Sequence, residues 1–286
     1  MPGQPSPFFQ QQPPVWTPVP IPEQVAATEG FAPIPGGGNL WYWDTGGEGP
    51  AVVLLHAASG SGAMWVYQQP VLAKAGYRVI SYSRRGYLKS SACDPREPGI
   101  ASVDLHHLLT HLGVSKFHVV GLAAGGIVAV DYALSFPERL LSLTLASTIM
   151  GVTDQNYLDL CNLFRPAFFA QLPKDFQELS ATYRAGNPAG ADAWRNLERQ
   201  SLLSVRVNQA LANVITWAKV ETIEAPTLLL TGDADLWTPP SILRLQASHL
   251  RNVQTAIIRE AGHAPNWEQP LAFNDTLLEF LRKHPS

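Results

Sequence analysis

Nucleophilic and proton-transfer chemistry needs an imidazole, a carboxylate to hold it and a group for it to act on. Of eight histidines, His263 stands apart in Glu260-Ala261-Gly262-His263-Ala264-Pro265-Asn266-Trp267-Glu268-Gln269-Pro270, just past an apolar run. Asp233 and Asp235 lie in a second loop, Gly232-Asp233-Ala234-Asp235-Leu236-Trp237-Thr238-Pro239-Pro240. The third feature is Phe117-His118-Val119-Val120-Gly121-Leu122-Ala123-Ala124-Gly125-Gly126, which reads as a buried strand, a turn tight enough to need glycines, and a helix. Its turn carries Ala123, whose methyl group cannot attack a carbonyl. His106, His107 and His111 share one expected helix without a partnering motif and read as solvated or core residues; His284 lies in the tail. Cys93 and Cys161 have no metal spacing, and no His/Cys/carboxylate cluster has it either, so no metal is expected. Gly36-Gly37-Gly38 and Gly121 to Gly126 match neither the P-loop nor the dinucleotide fingerprint, and no cofactor is expected.

The elements around these loops alternate. Asn39 to Asp44 reads as an edge strand, Ala51 to His56 as a strand buried on both faces, Met64 to Lys74 as a helix and Tyr77 to Tyr82 as the next strand. A helix over Ile100–Leu112, the strand Lys116–Leu122, the helix behind it and a strand over Leu140–Ser147 continue the pattern. Strand–helix alternation predicts a mostly parallel sheet with helices on both faces, an α/β class. From about Gly151 to Lys219 only helical, aromatic-rich pieces appear; Thr227–Gly232, Pro240–Leu250, Val253–Arg259 and Pro270–Arg282 then restore alternation. The expected organisation is a Pro-rich arm over 1–30, a core over 31–150 and 221–286, and a helical cap over 151–220. The arm reads either as an unpacked tail or, through Phe8, Phe9, Val15 and Trp16, as a segment packed on the body.

The 286 residues carry a net charge of −3 and 46% apolar residues, enough for a sizeable core and nothing that draws the chain to nucleic acid. No apolar run of about 18 residues suggests a membrane span. The start lacks a basic, then apolar, secretory pattern, and the cysteines read as free thiols, so a cytoplasmic protein is expected, with self-association left open.

Taken together, these segments resemble the α/β-hydrolase superfamily over roughly residues 30–285. Gly121-x-Ala123-x-Gly125 looks like its Gly-x-nucleophile-x-Gly elbow, with Gly126 extending it, and the triad arrives in the family's order of nucleophile, acid, His. The resemblance implies that Ala123 stands at the nucleophile position, where the family has Ser. It makes Asp235, three residues after Gly232, the acid, and leaves Asp233 to shape the loop; His263 becomes the base. Ala124, at a helix N-terminus, and Ala58, in His56-Ala57-Ala58-Ser59-Gly60, would donate the oxyanion N–H groups. Relatives have Gly where this chain has Ala57, and His56 would brace the loop. Ser83-Arg84-Arg85-Gly86-Tyr87-Leu88-Lys89-Ser90 is similar to the family's Asp-x-Arg-Gly-x-Gly-x-Ser loop, departing at Ser83 and Leu88.

Within the superfamily, Leu122-Ala123-Ala124-Gly125-Gly126 and the Gly-His-x-Pro-x-Trp-Glu-Gln-Pro run look most like carboxylesterases, enol-lactone hydrolases and C–C bond hydrolases. The function expected is cleavage of a small hydrophobic or aromatic carboxylic ester through an acyl-enzyme, here with the serine replaced by Ala123. Trp65, Phe164, Phe168, Trp217 and Trp237 are the expected pocket walls. Lactone or C–C hydrolysis, a non-catalytic ligand-binding relative, and an enzyme using the His/Asp base without a nucleophile remain the alternatives.

Overall fold

The structure, a computed structural model, describes residues 18–203 and 207–285. Its described strands form one eight-stranded sheet in the order β1-β2-β4-β3-β5-β6-β7-β8. β1 (Thr28–Pro33), β2 (Asn39–Asp44) and β4 (Arg78–Tyr82) are joined antiparallel. β3 (Ala51–Leu55), β4, β5 (Phe117–Leu122), β6 (Leu140–Ala146), β7 (Thr227–Gly232) and β8 (Val253–Ile258) run parallel.

Apolar residues on both sides of the central strands divide the core by the two-residue period of a strand. Val53, Leu55, Val119, Leu143 and Leu229 face one way, against Leu105 and Leu109 of α2 (Ala101–His111), Val128 and Ala129 of α3 (Ala124–Ser135) and Ile242 of α9 (Pro240–Ala247). Val52, Leu54, Val120, Leu122 and Leu228 face the other way, against Leu72 of α1 (Gln69–Lys74) and Phe273 and Leu277 of α11 (Pro270–Arg282). Each such side chain removed from water contributes about 1.5–3 kcal/mol, so both faces must stay covered.

Between β6 and β7 the described chain is helical: α4 (Gln155–Leu163), α5 (Lys174–Glu178), α6 (Ala181–Gly186), α7 (Pro188–Ser201) and α8 (Trp217–Val220). α10 (Pro265–Glu268) follows β8.

Two local expectations need correction. β2 is not an edge, because β1 covers it along six paired residues; Pro33 and the following Pro35 hid that strand. The helix expected from Met64 begins only at Gln69: Pro70 in its first turn has no N–H to donate to Val66 O, so the helical ladder does not continue back through that position. The preceding segment makes a single turn, Gly62–Met64. Phe8, Phe9, Val15 and Trp16 lie outside the described residues. The adjoining stretch packs on the body: Tyr67 Oη donates to Val19 O (2.9 Å), and Gln69 exchanges hydrogen bonds with the Val25 backbone.

In a parallel sheet the loops that carry ligands gather at the carboxyl ends of the strands. Ala58 follows β3, Ala123 β5, Ser147 β6, Asp235 β7 and His263 β8. Residues up to 205 positions apart thereby meet at one edge of the sheet.

Candidate active site

The turn after β5 is shaped by close backbone approach. A Cβ on Gly121 would lie 2.6 Å from Gly125 O, and one on Gly125 would lie 2.2 Å from Leu55 O. Both positions therefore exclude any side chain. At the apex Ala123 holds φ 50° and ψ −113°, a conformation that costs a residue with a Cβ on the order of 1–3 kcal/mol. Ala123 N donates to Ala146 O (2.9 Å) and Gly126 N to Ala123 O (3.0 Å), which pin the turn in place. The Ala123 side chain thus projects from the sheet edge at the start of α3.

His263 and Asp235 are both buried, at 8% and 2% exposure. His263 Nδ1 lies 3.0 Å from Asp235 Oδ1 and 2.9 Å from Oδ2. Asp235 also accepts from Trp237 N (2.7 Å), Thr238 N (3.1 Å), Thr231 Oγ1 (2.9 Å) and Thr238 Oγ1 (3.0 Å). Burial works against its charge, but the His263 charge and hydrogen bond and the two backbone N–H groups bring its pKa down to about 2. For His263 burial favours the neutral ring; the Asp235 charge and hydrogen bond, with the Glu178 and Glu268 charges, outweigh it and raise the pKa. A carboxylate on Nδ1 fixes the proton there and leaves Nε2 to accept another.

The His263 loop is tied to the helices after β6. His263 N donates to Glu178 O (2.7 Å). Glu268, buried in α10, accepts from Gly262 N through Oε1 (2.9 Å) and from Ser180 N through Oε2 (2.7 Å). Burial pushes the Glu268 carboxyl up to about 8 while those N–H groups favour its charge.

The loop after β3 is braced from below. His56, fully buried, places Nδ1 2.7 Å from Ala57 O and accepts at Nε2 from Arg84 N (3.1 Å). Arg84 Nη2 also donates to Ala57 O (3.2 Å), and Tyr87 Oη to Ala58 O (3.2 Å). Neither Ala58 N nor Ala124 N meets an acceptor among the described residues; Ala124 begins α3, where first-turn N–H groups have no helical partner. Among the described residues no three His, Cys, Asp or Glu side chains converge as a metal site requires.

A cavity of about 270 Å³ is lined by Ala58, Ala123, Ala124 and His263 together with Ile127, Ile149 and Leu202. Trp237 is the member of the expected aromatic wall found there, 5.8 Å ring to ring from His263. Trp65 is 1% exposed and packs in the core beneath α1 and α11, not in the cavity. Trp217 stacks on His249, just past α9, at 4.0 Å and meets Tyr157 of α4, so its ring is spent on those contacts. Phe164 and Phe168 point outward, at 42% and 78% exposure. Aromatic content in the helices after β6 does not say which helix face is turned inward, and these four fall away from the site.

The sequence reading missed polar members of the same cavity. Lys174, Glu178 and Glu198 line it, and Ser59 Oγ donates to Glu178 Oε2 at 2.5 Å. Burial raises the Glu178 carboxyl pKa. Ser147 also lines it, with φ 48° and an Oγ that is buried without a partner among the described residues. Its place at the carboxyl end of the strand beside β5 was the available signal.

Residues 50–270 match the family model described as alpha/beta hydrolase fold. A putative carbamate hydrolase RutD from Stutzerimonas stutzeri is 30% identical over 248 residues, 82% of this chain and 92% of that protein. A 2-hydroxy-6-oxononadienedioate/2-hydroxy-6-oxononatrienedioate hydrolase from Burkholderia vietnamiensis is 29% identical over 265 residues, 86% and 91% of the two chains. Among solved structures, a thermophilic esterase from Thermogutta terrifontis superposes with a TM-score of 0.76 at 25% identity, covering 91% of this chain and all of the other. With its sheet, its turn after β5 and its matched span in agreement, the chain belongs to the alpha/beta hydrolase fold family.

Proposed function

We propose that this is a serine-hydrolase scaffold for small carboxylic esters whose nucleophile position is occupied by Ala123. The observation that carries the reading is the buried Asp235–His263 pair at one cavity with Ala123 and the free N–H groups of Ala58 and Ala124. In the serine form, His263 Nε2 takes the hydroxyl proton as the oxygen attacks the ester carbonyl, and Asp235 steadies the imidazolium. The Ala58 and Ala124 N–H groups hold the oxyanion. His263 then protonates the departing alcohol, and water, activated by the same ring, releases the acid.

With Ala123 the base, acid and oxyanion donors remain while no acyl bond can form, so an ester binds without being cleaved. Apolar walls from Ile127, Ile149, Leu202 and Trp237 suit a hydrophobic acyl or alcohol group. The esterase from Thermogutta terrifontis supports ester chemistry, and the Burkholderia vietnamiensis hydrolase supports C–C cleavage as the neighbouring alternative. The intact His263–Asp235 pair beside a residue that cannot attack favours, as a second reading, a base-only enzyme that works with Ala123 as it stands. Buried thiols at Cys93 and Cys161 support a cytoplasmic home. Among the described residues no helix is long and apolar enough to cross a membrane.

The test is covalent labelling. An aryl fluorophosphonate is expected to modify the Ala123→Ser protein at position 123, found by peptide mass, and to leave the Ala123 protein untouched. Absence of labelling on a folded Ala123→Ser protein would remove the serine-hydrolase reading.

A further inference from the structure

A second cavity, of about 280 Å³, shares the walls Ala124 and Ile127 with the first and is lined on its far side by Arg84, Arg85 and Tyr87. The two arginines differ in their surroundings. Arg85 is neutralised: Nε and Nη2 each lie 2.7 Å from an Asp104 carboxylate oxygen, and Gln209 Nε2 donates to the same carboxylate. Arg84 is 8% exposed and has no carboxylate partner among the described residues. It meets the Ala57 carbonyl and, at 5.1 Å, the face of the Tyr87 ring. A carbonyl and a ring face ease a cation's burial without supplying negative charge. Its Nε and Nη1 donate to no acceptor among the described residues.

Neither nitrogen is sealed from solvent, so both can be reached from the cavity that Arg84 lines, and a guanidinium's planar array of donors matches a carboxylate in two parallel hydrogen bonds. The neighbouring cavity sets two carboxyl groups, Glu178 and Glu198, against the one ammonium of Lys174 and so is the less favourable place for an anion. We propose that the cavity beside Arg84 is the compartment for a carboxylate carried by the substrate, so that the ester cleaved at position 123 is a half-ester of a dicarboxylic acid or a similarly anionic ester. This rests on the ester-hydrolase reading for the scissile bond and adds the substrate's charge and orientation. The anionic end lies towards Arg84, and the acidic side chains of the first cavity repel it from the reverse placement.

The Ala123 protein, which binds without cleaving, allows a direct test. Calorimetric titration at pH 7.5 with monoethyl adipate and with diethyl adipate compares an anionic and a neutral ester of similar length. At least tenfold tighter binding of the monoester is expected, with the preference shrinking as salt rises. Arg84→Met should bring the ratio close to one, and Arg84→Lys should keep part of it; if the Met variant does not fold, the Lys variant and the salt series decide. Equal affinity, no binding of the monoester, or a preference intact in Arg84→Met overturns the proposal. So does acetate or inorganic phosphate binding as tightly as the monoester, which would mark a site for free anions. No serine enters these measurements, so failure of Ala123→Ser to turn over esters would contradict the ester-hydrolase reading and leave this result standing.

Discussion

Glu268 lies six residues beyond Gly262, yet its carboxylate joins the Gly262 N–H to that of Ser180, locking the loop that carries His263 to the helices after β6. A carboxylate fits this place because both of its oxygens only accept; an amide would turn its own N–H₂ towards one of the N–H groups.

Above about pH 8, where Glu268 is ionised, Glu268→Gln therefore leaves a buried N–H facing another donor, at a cost of about 1–3 kcal/mol. The expected outcome is a lower midpoint in urea and, in the serine form, reduced turnover as the His263 loop loosens. A variant equal to the parent in both would show that Glu268 does not hold this loop.

The Asp235–His263 pair sets the direction of two pH dependences. Asp235 is depressed to about 2, below its unfolded value of about 3.9, so its stabilisation is present above that unfolded value and is lost as pH falls towards 2. His263 is raised: its contribution is complete below about 6.5, the unfolded value, and is lost as pH climbs through its folded pKa. Since only the neutral ring accepts a proton, the acid limb of kcat/KM for the Ala123→Ser protein is expected above pH 6.5. A limb at or below that pH would contradict the ion-paired ring.

At the elbow the constraint is steric. Gly125→Ala would set a Cβ 2.2 Å from Leu55 O, and the backbone of β3 cannot move aside without opening its ladder to β5. A loss of about 1–3 kcal/mol is expected, as for overpacked cores, read as a lower melting temperature. An unchanged melting temperature would mean that the turn relaxes freely.

What the sequence revealed and what it hid differ for a physical reason. Gly121, Ala123, Gly125, Asp235 and His263 sit where backbone geometry leaves few choices: a turn without room for side chains, and loops bounded by Gly and Pro at strand ends. Their meeting follows from the order of the strands. Trp65, Phe164, Phe168 and Trp217 stand out by residue type alone, and whether each points into the cavity depends on how the turn before α1 and the segments after β6 pack on the sheet. Glu178, Glu198 and Lys174 look like an ordinary solvated face until tertiary packing brings them to the wall of the cavity. β1 escaped notice because Pro33 and Pro35 mask the first strand of what is a local antiparallel hairpin with β2.

The most direct measurement is ester turnover by the Ala123→Ser protein beside the Ala123 protein, on a panel of aryl and alkyl esters, with His263→Ala in the serine background. Turnover that appears with the serine and falls by about 10³-fold or more with His263→Ala, as expected for a base acting with its nucleophile as one unit, supports a hydrolase held silent by one missing hydroxyl. No turnover from a folded serine form, with hydrophobic ligands still bound by the Ala123 protein, would contradict it.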